Sequence, residues 1–369
     1  MSEETLLKTE RMARRIEPLC PAYGICGGCA YQEIPYPEEL GAKENRVHKL
    51  FRDGLGVGAE VLKPIQASPK PYYYRNRVDL TLRRLKSGEI IMGFQHENSH
   101  QVVRVDSCDL AMPVISDAFP GIQEEASRKL PGDYRTANLV IKSGDDGRVL
   151  WGGIGRHSCR LEEKDYLWAE IKGKRFFYSL DTFFQANLTI LPKLMEVLEE
   201  YLPGGDNALL YDLYAGVGFF GLYFASRFRR VFLIEESDTS CDLMKFNLRY
   251  HGLPHVEAIR GKVEHLFPGL LSQSQGRHVA MIDPPRRGLS DETRAMLAKE
   301  KRLEALVYLS CNPETLVRDL KDFLEEGWSL KVVIPFDFFP RTKHIETLTL
   351  LHQEPTAGAH RVGGLFNHS

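Results

Sequence analysis

Two groups of cysteines stand where a thiol could do more than pack. Cys311 lies in "ALVYLSCNPETLVRDL", at the end of an apolar run and just ahead of a helix. Asn312 suits an N-cap, Pro313 the first helical position and Glu314 the positive end of the helix dipole. Such a site is expected to lower a thiol pKa below its free value of about 8.5, which makes a nucleophile of it. A lone cysteine more often only fills a core. Its place at a strand's carboxyl edge, level with Asp283, weighs against that use. The second group is Cys20, Cys26 and Cys29 in "CPAYGICGGCA", with Cys108 in "VDSCDLAMP" as a distant fourth. Three thiols so close in sequence do not serve packing, and four thiolates suit zinc or a [4Fe–4S] cluster. Cys159 and Cys241 fit neither role and read as ordinary buried thiols.

A cofactor loop lies between these groups. "YDLYAGVGFFG" ends a strand and opens a helix, with Gly216, Gly218 and Gly221 spaced as G-x-G-x-x-G. Glycines permit the tight turn and let the backbone approach a ligand. Nineteen residues beyond Gly216, Glu235 closes "VFLIE" and is placed to accept from ribose hydroxyls. This pattern fits NAD as well as S-adenosylmethionine (SAM). The next clue is "VAMIDPPRRG", which sets Asp283 and two prolines at the carboxyl end of a strand, where α/β sheets bind ligands. It resembles the corresponding motif of SAM-dependent nucleic-acid methyltransferases. Enzymes that methylate exocyclic amines usually have an aromatic after the prolines, whereas Arg286 stands here. The cytosine-C5 enzymes of rRNA carry a cysteine in this motif, and here there is none.

A thiolate has a use in such an enzyme. C5 of uracil is a poor nucleophile, but sulfur attack at C6 makes an enolate whose C5 can take a methyl group. A base must then remove the C5 proton so that the sulfur can leave. Glu346 in "FFPRTKHIETLTLL" begins a late apolar strand, where partial desolvation would raise its pKa, and is the candidate base. Taken together, "FFQAN" (183–187), "DLYAGVG", "IDPPRRG", "LSCNP" and "HIET" resemble, in order, the RNA uracil-C5 methyltransferases that act on tRNA and 23S rRNA. The resemblance covers the second half of the chain. It implies that Cys311 is the nucleophile and Glu346 the proton acceptor. It also implies that Gln185, Tyr214, Glu235 and Asp283, with the loop glycines Gly216 and Gly218, line the SAM and uracil site. Phe219 departs from the polar residue that some members have after the glycine turn. The Cys20, Cys26, Cys29 and Cys108 spacing matches the cluster-bearing branch of the family, which favours [4Fe–4S] over zinc; a zinc ribbon would also pair two C-x2-C knuckles, and only one is present. With few residues ahead of Cys20, no N-terminal β-barrel RNA-binding domain is expected, a layout shared with some 23S rRNA-specific members.

These residues need elements to hold them. A chain of 369 residues suggests two or three domains. Its 43% hydrophobic and 27% charged content is that of a soluble globular protein, no apolar run is long enough for a membrane span, and the N-terminus lacks a secretion signal. The expectation is a cytoplasmic monomer that binds RNA. Residues 1–18 read as a basic leader and 36–52 as a surface helix that packs on the catalytic domain. Residues 19–180 read as a β-rich, all-β or α+β, RNA-binding region with the four-cysteine site. Strand–helix alternation over 181–353 predicts an α/β, Rossmann-like SAM-dependent methyltransferase domain, and 354–369 reads as a disordered tail. Between Lys70 and Lys86, six basic residues and three tyrosines against one acid suit phosphates and unpaired bases, or equally a hairpin with a solvated basic face. Competing readings are a methyltransferase for another RNA atom, a non-catalytic metal-containing RNA-binding protein, and a nicotinamide oxidoreductase that fits the glycine loop alone.

Overall fold

The computed structural model describes residues 15–153 and 163–353. Cys159, most of the basic leader and the tail from residue 354 lie outside the described residues. Beyond the cysteine-bearing loop comes α1 (Tyr36–Leu55). Pro37 and the acids Glu38 and Glu39 occupy its first turn, and Gly56, at φ 65°, closes it by donating to the Arg52 carbonyl.

The middle section is α+β. Its strands are β1 (Arg77–Arg84), β2 (Ile90–Gln95), β3 (Val102–Arg104), β4 (Thr136–Ser143) and β5 (Val149–Gly153), in the antiparallel order β3-β2-β1-β4-β5. All five lie in the region read as β-rich from the sequence. The alternation of β1 turns Val78, Leu80 and Leu82 inward. They pack with Ile115 of α2 (Pro113–Asp117) and with Phe119 and Ile122 of α3 (Phe119–Lys129). Of the three tyrosines beside the basic run, Tyr74 is core and hydrogen-bonds the Pro340 carbonyl, while Tyr73 is exposed.

The second half builds one mixed sheet. Its helices are α4 (Leu191–Tyr201), α5 (Phe219–Phe224), α6 (Asp238–His251), α7 (Val263–Gln273), α8 (Asp291–Lys299) and α9 (Pro313–Glu325). A hairpin of β6 (Leu167–Ile171) and β7 (Lys174–Tyr178) precedes them. The sheet strands are β8 (Gly205–Leu213), β9 (Phe228–Glu235), β10 (Val256–Arg260), β11 (Arg277–Ile282), β12 (Leu303–Ser310), β13 (Trp328–Phe336) and β14 (Glu346–Gln353). Their order is β10-β9-β8-β11-β12-β14-β13, with β8 to β12 parallel and β14 antiparallel to both its neighbours. The strand centres are continuous apolar runs because both faces are covered. On one face α4, α5, α6 and the β6–β7 hairpin share a core. On the other, α7, α8 and α9 share a core with Val47 and Phe51 of α1. The hydrophobic unit therefore takes in residues well before 181. The outer edge of β13 is also covered: Val333 donates to the Val61 carbonyl, Lys63 to Val333 and Gln66 to Pro335. Among the described residues, no helix is long and apolar enough to cross a membrane.

Candidate active site

Strand register alone gathers the residues singled out in the sequence. Ile282 pairs with Leu213 on one side and Tyr308 on the other, so Tyr214, Asp283 and the end of β12 share the sheet's carboxyl edge. Ser310 pairs with Thr347 across the antiparallel β12–β14 ladder. The next residues outward are Cys311 and Glu346, which thus stand side by side at that edge. Three elements with quite separate places in the chain converge there.

The local chemistry of Cys311 differs from the sequence expectation. Asn312 caps α9 as expected, its side chain accepting from the Glu314 N–H at 3.2 Å. The thiol pKa is nevertheless pushed up to about 12, first by burial and then by the negative charges of Glu346 and Asp283. Arg286 and a backbone N–H oppose this and do not overcome it. One capped helix end supplies about half a charge, which does not offset the loss of solvation on burial. The resting thiol is protonated.

Glu346 is 5% exposed, and its Oε2 is buried without a hydrogen-bond partner among the described residues. Burial and the neighbouring Asp283 raise its pKa well above the usual carboxylate range, as the sequence reading anticipated. Asp283 itself is pushed up to about 7 by desolvation and by Asp212, against a 3.2 Å hydrogen bond from Gln185 Nε2. The sequence reading passed over Asp212 and gave Arg286, noted only as the residue after the two prolines, no place in the site, although both stand inside quoted motifs. Asp212 is 1% exposed, receives the Gly221 N–H at 2.8 Å and is pushed up to about 7 by burial.

The glycine loop has the shape of a ligand cradle. Tyr214 is held at φ 68°, a region costly for a residue with a side chain, and Gly216 and Gly218 follow at 57° and 86°. A Cβ on Gly216 would meet nothing within 4 Å, so the loop faces open space there, whereas at Gly221 it would strike Leu233. Glu235 lies beside the loop; its carboxylate accepts from Gly216, Glu236 and Ser237 N–H groups. The Tyr214 ring packs into the core shared by α7, α8 and α9, so its backbone rather than its ring borders the cradle.

Gln185 sits on a loop from 179 to 187 that two buried side chains hold. Lys142 of β4 donates from Nζ to the carbonyls of Ser179 (2.8 Å) and Thr182 (2.5 Å). Asn187 Nδ2 bridges Ser68 Oγ and the Phe338 carbonyl, which ties this loop to the one leading into β14.

Cys20, Cys26, Cys29 and Cys108 all line one cavity of about 160 Å³. Gln32 donates to Cys29 Sγ and accepts from the Cys20 N–H, and Ser116 accepts from the Cys108 N–H. Among the described residues, no three His, Cys, Asp or Glu side chains gather closely enough to hold a single metal ion. Beside this cavity a cleft of about 770 Å³ runs between residues 27–30, the tip of the β2–β3 hairpin and Thr342, Lys343 and His344. His344 is pushed down to about 4 by burial and by the charges of Arg286, Arg75, Lys43 and Arg46, so it is neutral and its surroundings are positive. Cys241 is buried, as expected, and its Sγ donates to the Glu235 carbonyl.

Comparison with known proteins agrees with this geometry. Residues 155–354 match the family model described as tRNA (Uracil-5-)-methyltransferase. A protein of Clostridium tetani named an RNA methyltransferase is 27% identical over 94% of this chain and 86% of its own. One of Oceanobacillus iheyensis, named likewise, is 28% identical over 93% and 84%. Among solved structures, Pyrococcus abyssi tRNA (uracil-54, C5)-methyltransferase bound to S-adenosyl-L-homocysteine superposes with a TM-score of 0.68. It is 22% identical and covers 89% of this chain and 86% of that one, a likeness of fold. With the family's match spanning more than half its length, this chain belongs to the tRNA (uracil-5-)-methyltransferase family and is a SAM-dependent RNA (uracil-5-)-methyltransferase.

Proposed function

We propose that the enzyme methylates C5 of a uridine in 23S rRNA through a covalent bond between Cys311 Sγ and C6 of the base. The observation that carries this is the juxtaposition of Cys311 and Glu346 one residue beyond the Ser310–Thr347 pair, with the buried Glu346 Oε2 left without a partner among the described residues. A buried acceptor left open is costly unless something arrives to use it. S-adenosylmethionine, when bound, supplies the methyl group as an electrophile on a positive sulfur. The residues present fit it: the open space over Gly216, the Glu235 carboxylate beside it, and Asp283 with Gln185 at the switch point of the sheet.

The chain's own groups divide the work. Cys311 loses its proton to solvent as its sulfur closes on C6, and Arg286 is the nearby cation that favours the thiolate. Gln185 and Asp283 hold the reacting edge. Glu346, whose raised pKa makes it a strong acceptor once its own proton has passed to solvent, then takes the C5 proton, the C5–C6 double bond re-forms, and the bond to sulfur breaks. A base flipped out of the RNA must reach this depth. The cleft between residues 27–30, the β2–β3 tip and Lys343 is the entry this reading assigns to it, with the Lys70–Lys86 segment as a further RNA contact. Ribosomal rather than transfer RNA is the expectation carried from the sequence, and a comparison of the two RNA pools decides it.

The test is to incubate anaerobically purified protein and SAM with 5-fluorouridine-substituted rRNA and tRNA pools, then run a denaturing gel. Fluorine at C5 blocks the proton-removal step, so a shifted covalent band is expected with the rRNA pool and lost in Cys311→Ala. No band with either pool, despite measured SAM binding, would point to another RNA atom. We further infer that Cys20, Cys26, Cys29 and Cys108 hold a [4Fe–4S] cluster. A single tetrahedral zinc draws its thiolates to about 3.8 Å from one another. A cubane holds them further apart, which suits four thiols around one cavity with no single-ion grouping. Iron and acid-labile sulfide near four per chain are expected, both lost in Cys26→Ala; zinc in their place would support the second reading.

A further inference from the structure

The segment from Asp337 to Ile345 has no regular secondary structure, yet it delivers Glu346 to the site. Besides Asn187, which binds the Phe338 carbonyl, its partners come from residues some 270 to 310 positions earlier. Lys43 of α1, 3% exposed, donates from Nζ to Asp337 Oδ1 (2.7 Å), Glu39 Oε1 (2.8 Å) and the Phe339 carbonyl (3.1 Å). Glu39, fully buried, accepts the Arg341 N–H at 2.7 Å. Arg341 in turn reaches back to the carbonyls of Tyr31 and Ile34, while its own carbonyl accepts from Ala30 and Tyr31. Tyr36 OH donates to Asp337 Oδ2 at 2.9 Å and accepts from the Ser68 N–H. Nearer the active site, Arg46 bridges the Lys343 carbonyl and Glu314.

Two features set this apart from ordinary packing. Arg341 is held at φ 65°, strained for a residue with a side chain and tolerated only where the surroundings over-determine it. The network also buries two lysine or arginine side chains and two carboxylates, a costly arrangement that hydrophobic residues could have replaced without loss of stability. What hydrophobic residues cannot do is fix the direction of an irregular segment at several carbonyls at once.

We propose that Lys43, Glu39 and Arg341 are positioning residues that aim Glu346 at the C5 proton. This rests on the reading of Glu346 as the base. In that last step the C5–H electron pair forms the C5–C6 double bond, the proton goes to Glu346 and the C6–S electrons return to Cys311. A base displaced by as little as 1 Å slows such a step by up to about 100-fold. Cys311 lies on the other strand, so its attack and the methylation need not slow with it.

The experiment gives full-length wild type, Lys43→Met and Tyr36→Phe methyl-labelled SAM and unmodified 23S rRNA or tRNA transcripts. It follows two quantities: label trapped as denaturant-resistant protein–RNA adduct, and label in free RNA. The expected result is normal formation but slow release of adduct, so that Lys43→Met accumulates it at least about tenfold over wild type. Tyr36→Phe, which loses one hydroxyl and keeps its packing, shows the same split more weakly and decides the matter if Lys43→Met does not fold. Release at the wild-type rate in the folded variants, or equal slowing of formation and release, would overturn the proposal. If wild type forms no adduct even with 5-fluorouridine RNA, the covalent reading itself is wrong and the proposal goes with it.

Discussion

Four acidic groups, Cys311, Glu346, Asp283 and Asp212, share one desolvated edge of the sheet with Arg286 as the cation acting on Cys311 and Glu346. All four are shifted upward, with a consequence for stability as well as chemistry. A carboxyl that binds its proton more tightly when folded contributes stability that is complete below the unfolded pKa and is lost as pH rises through the folded one. For Asp283 that window runs from about 4 to about 7, and Glu346, raised well above its usual range, extends it. Thermal melting of the wild type should therefore fall between pH 5 and pH 8. Glu346→Gln has no proton to lose and relieves Asp283 of a neighbouring charge. It should melt like the wild type at pH 5 and higher by a few °C at pH 8, while losing turnover. An equal pH dependence in both would mean that Glu346 is not desolvated in solution.

At the scale of elements, the site depends on two irregular loops pinned by buried lysines from the first half of the chain. Lys43 holds the segment before β14, and Lys142 of β4 holds the 179–187 loop that carries Gln185. Lys142 is 2% exposed and is pushed down to about 7 by burial and by Arg77, which shows how little solvent reaches its two carbonyl partners. Lys142→Met removes the Nζ donor from both carbonyls, leaving Ser179 only a 3.5 Å bond from Thr182 Oγ1, at a cost of about 1–3 kcal/mol for a carbonyl left unsatisfied. Amide exchange at residues 179–187 should then rise, with SAM-bound Gln185 losing its protection, while β8 to β12 exchange as before. Unchanged exchange in the loop would show that Asn187 and Phe184, the latter stacked on Tyr178 at 4.5 Å, hold it without Lys142.

At the scale of the whole molecule, the catalytic core is not a contiguous stretch. Val47 and Phe51 of α1 fill the face under α9, and residues 61–66 cover the edge of β13. A fragment of residues 163–353 would expose that apolar seat and a bare strand edge. It should aggregate or melt well below the full chain, as read by circular dichroism and size-exclusion chromatography. A cooperative, monomeric fragment with the melting temperature of the full chain would contradict this.

Local pattern carried a good deal of this. The strands β8 to β12 are apolar runs punctuated by turn residues, the caps of α9 are written in "CNPE", and the glycine turn is fixed by its positive φ angles. Cys311, Glu346 and Asp283 could be named because each follows or opens such an element, whereas Gln185, inside an irregular loop, came from the family resemblance alone. What pattern could not give is what depends on two distant segments meeting. The direction of the Cys311 pKa shift depends first on its burial and then on Glu346 and Asp283, which only the β11, β12 and β14 register brings alongside it. The roles of Lys43 and Lys142 were hidden for the same reason: in sequence each is one more basic residue, and burial against a far carbonyl is a property of the packed chain. Helix propensity, turn chemistry and strand period act over a few residues, whereas desolvation and Coulomb interaction act over a few ångströms, and only folding turns the one distance into the other.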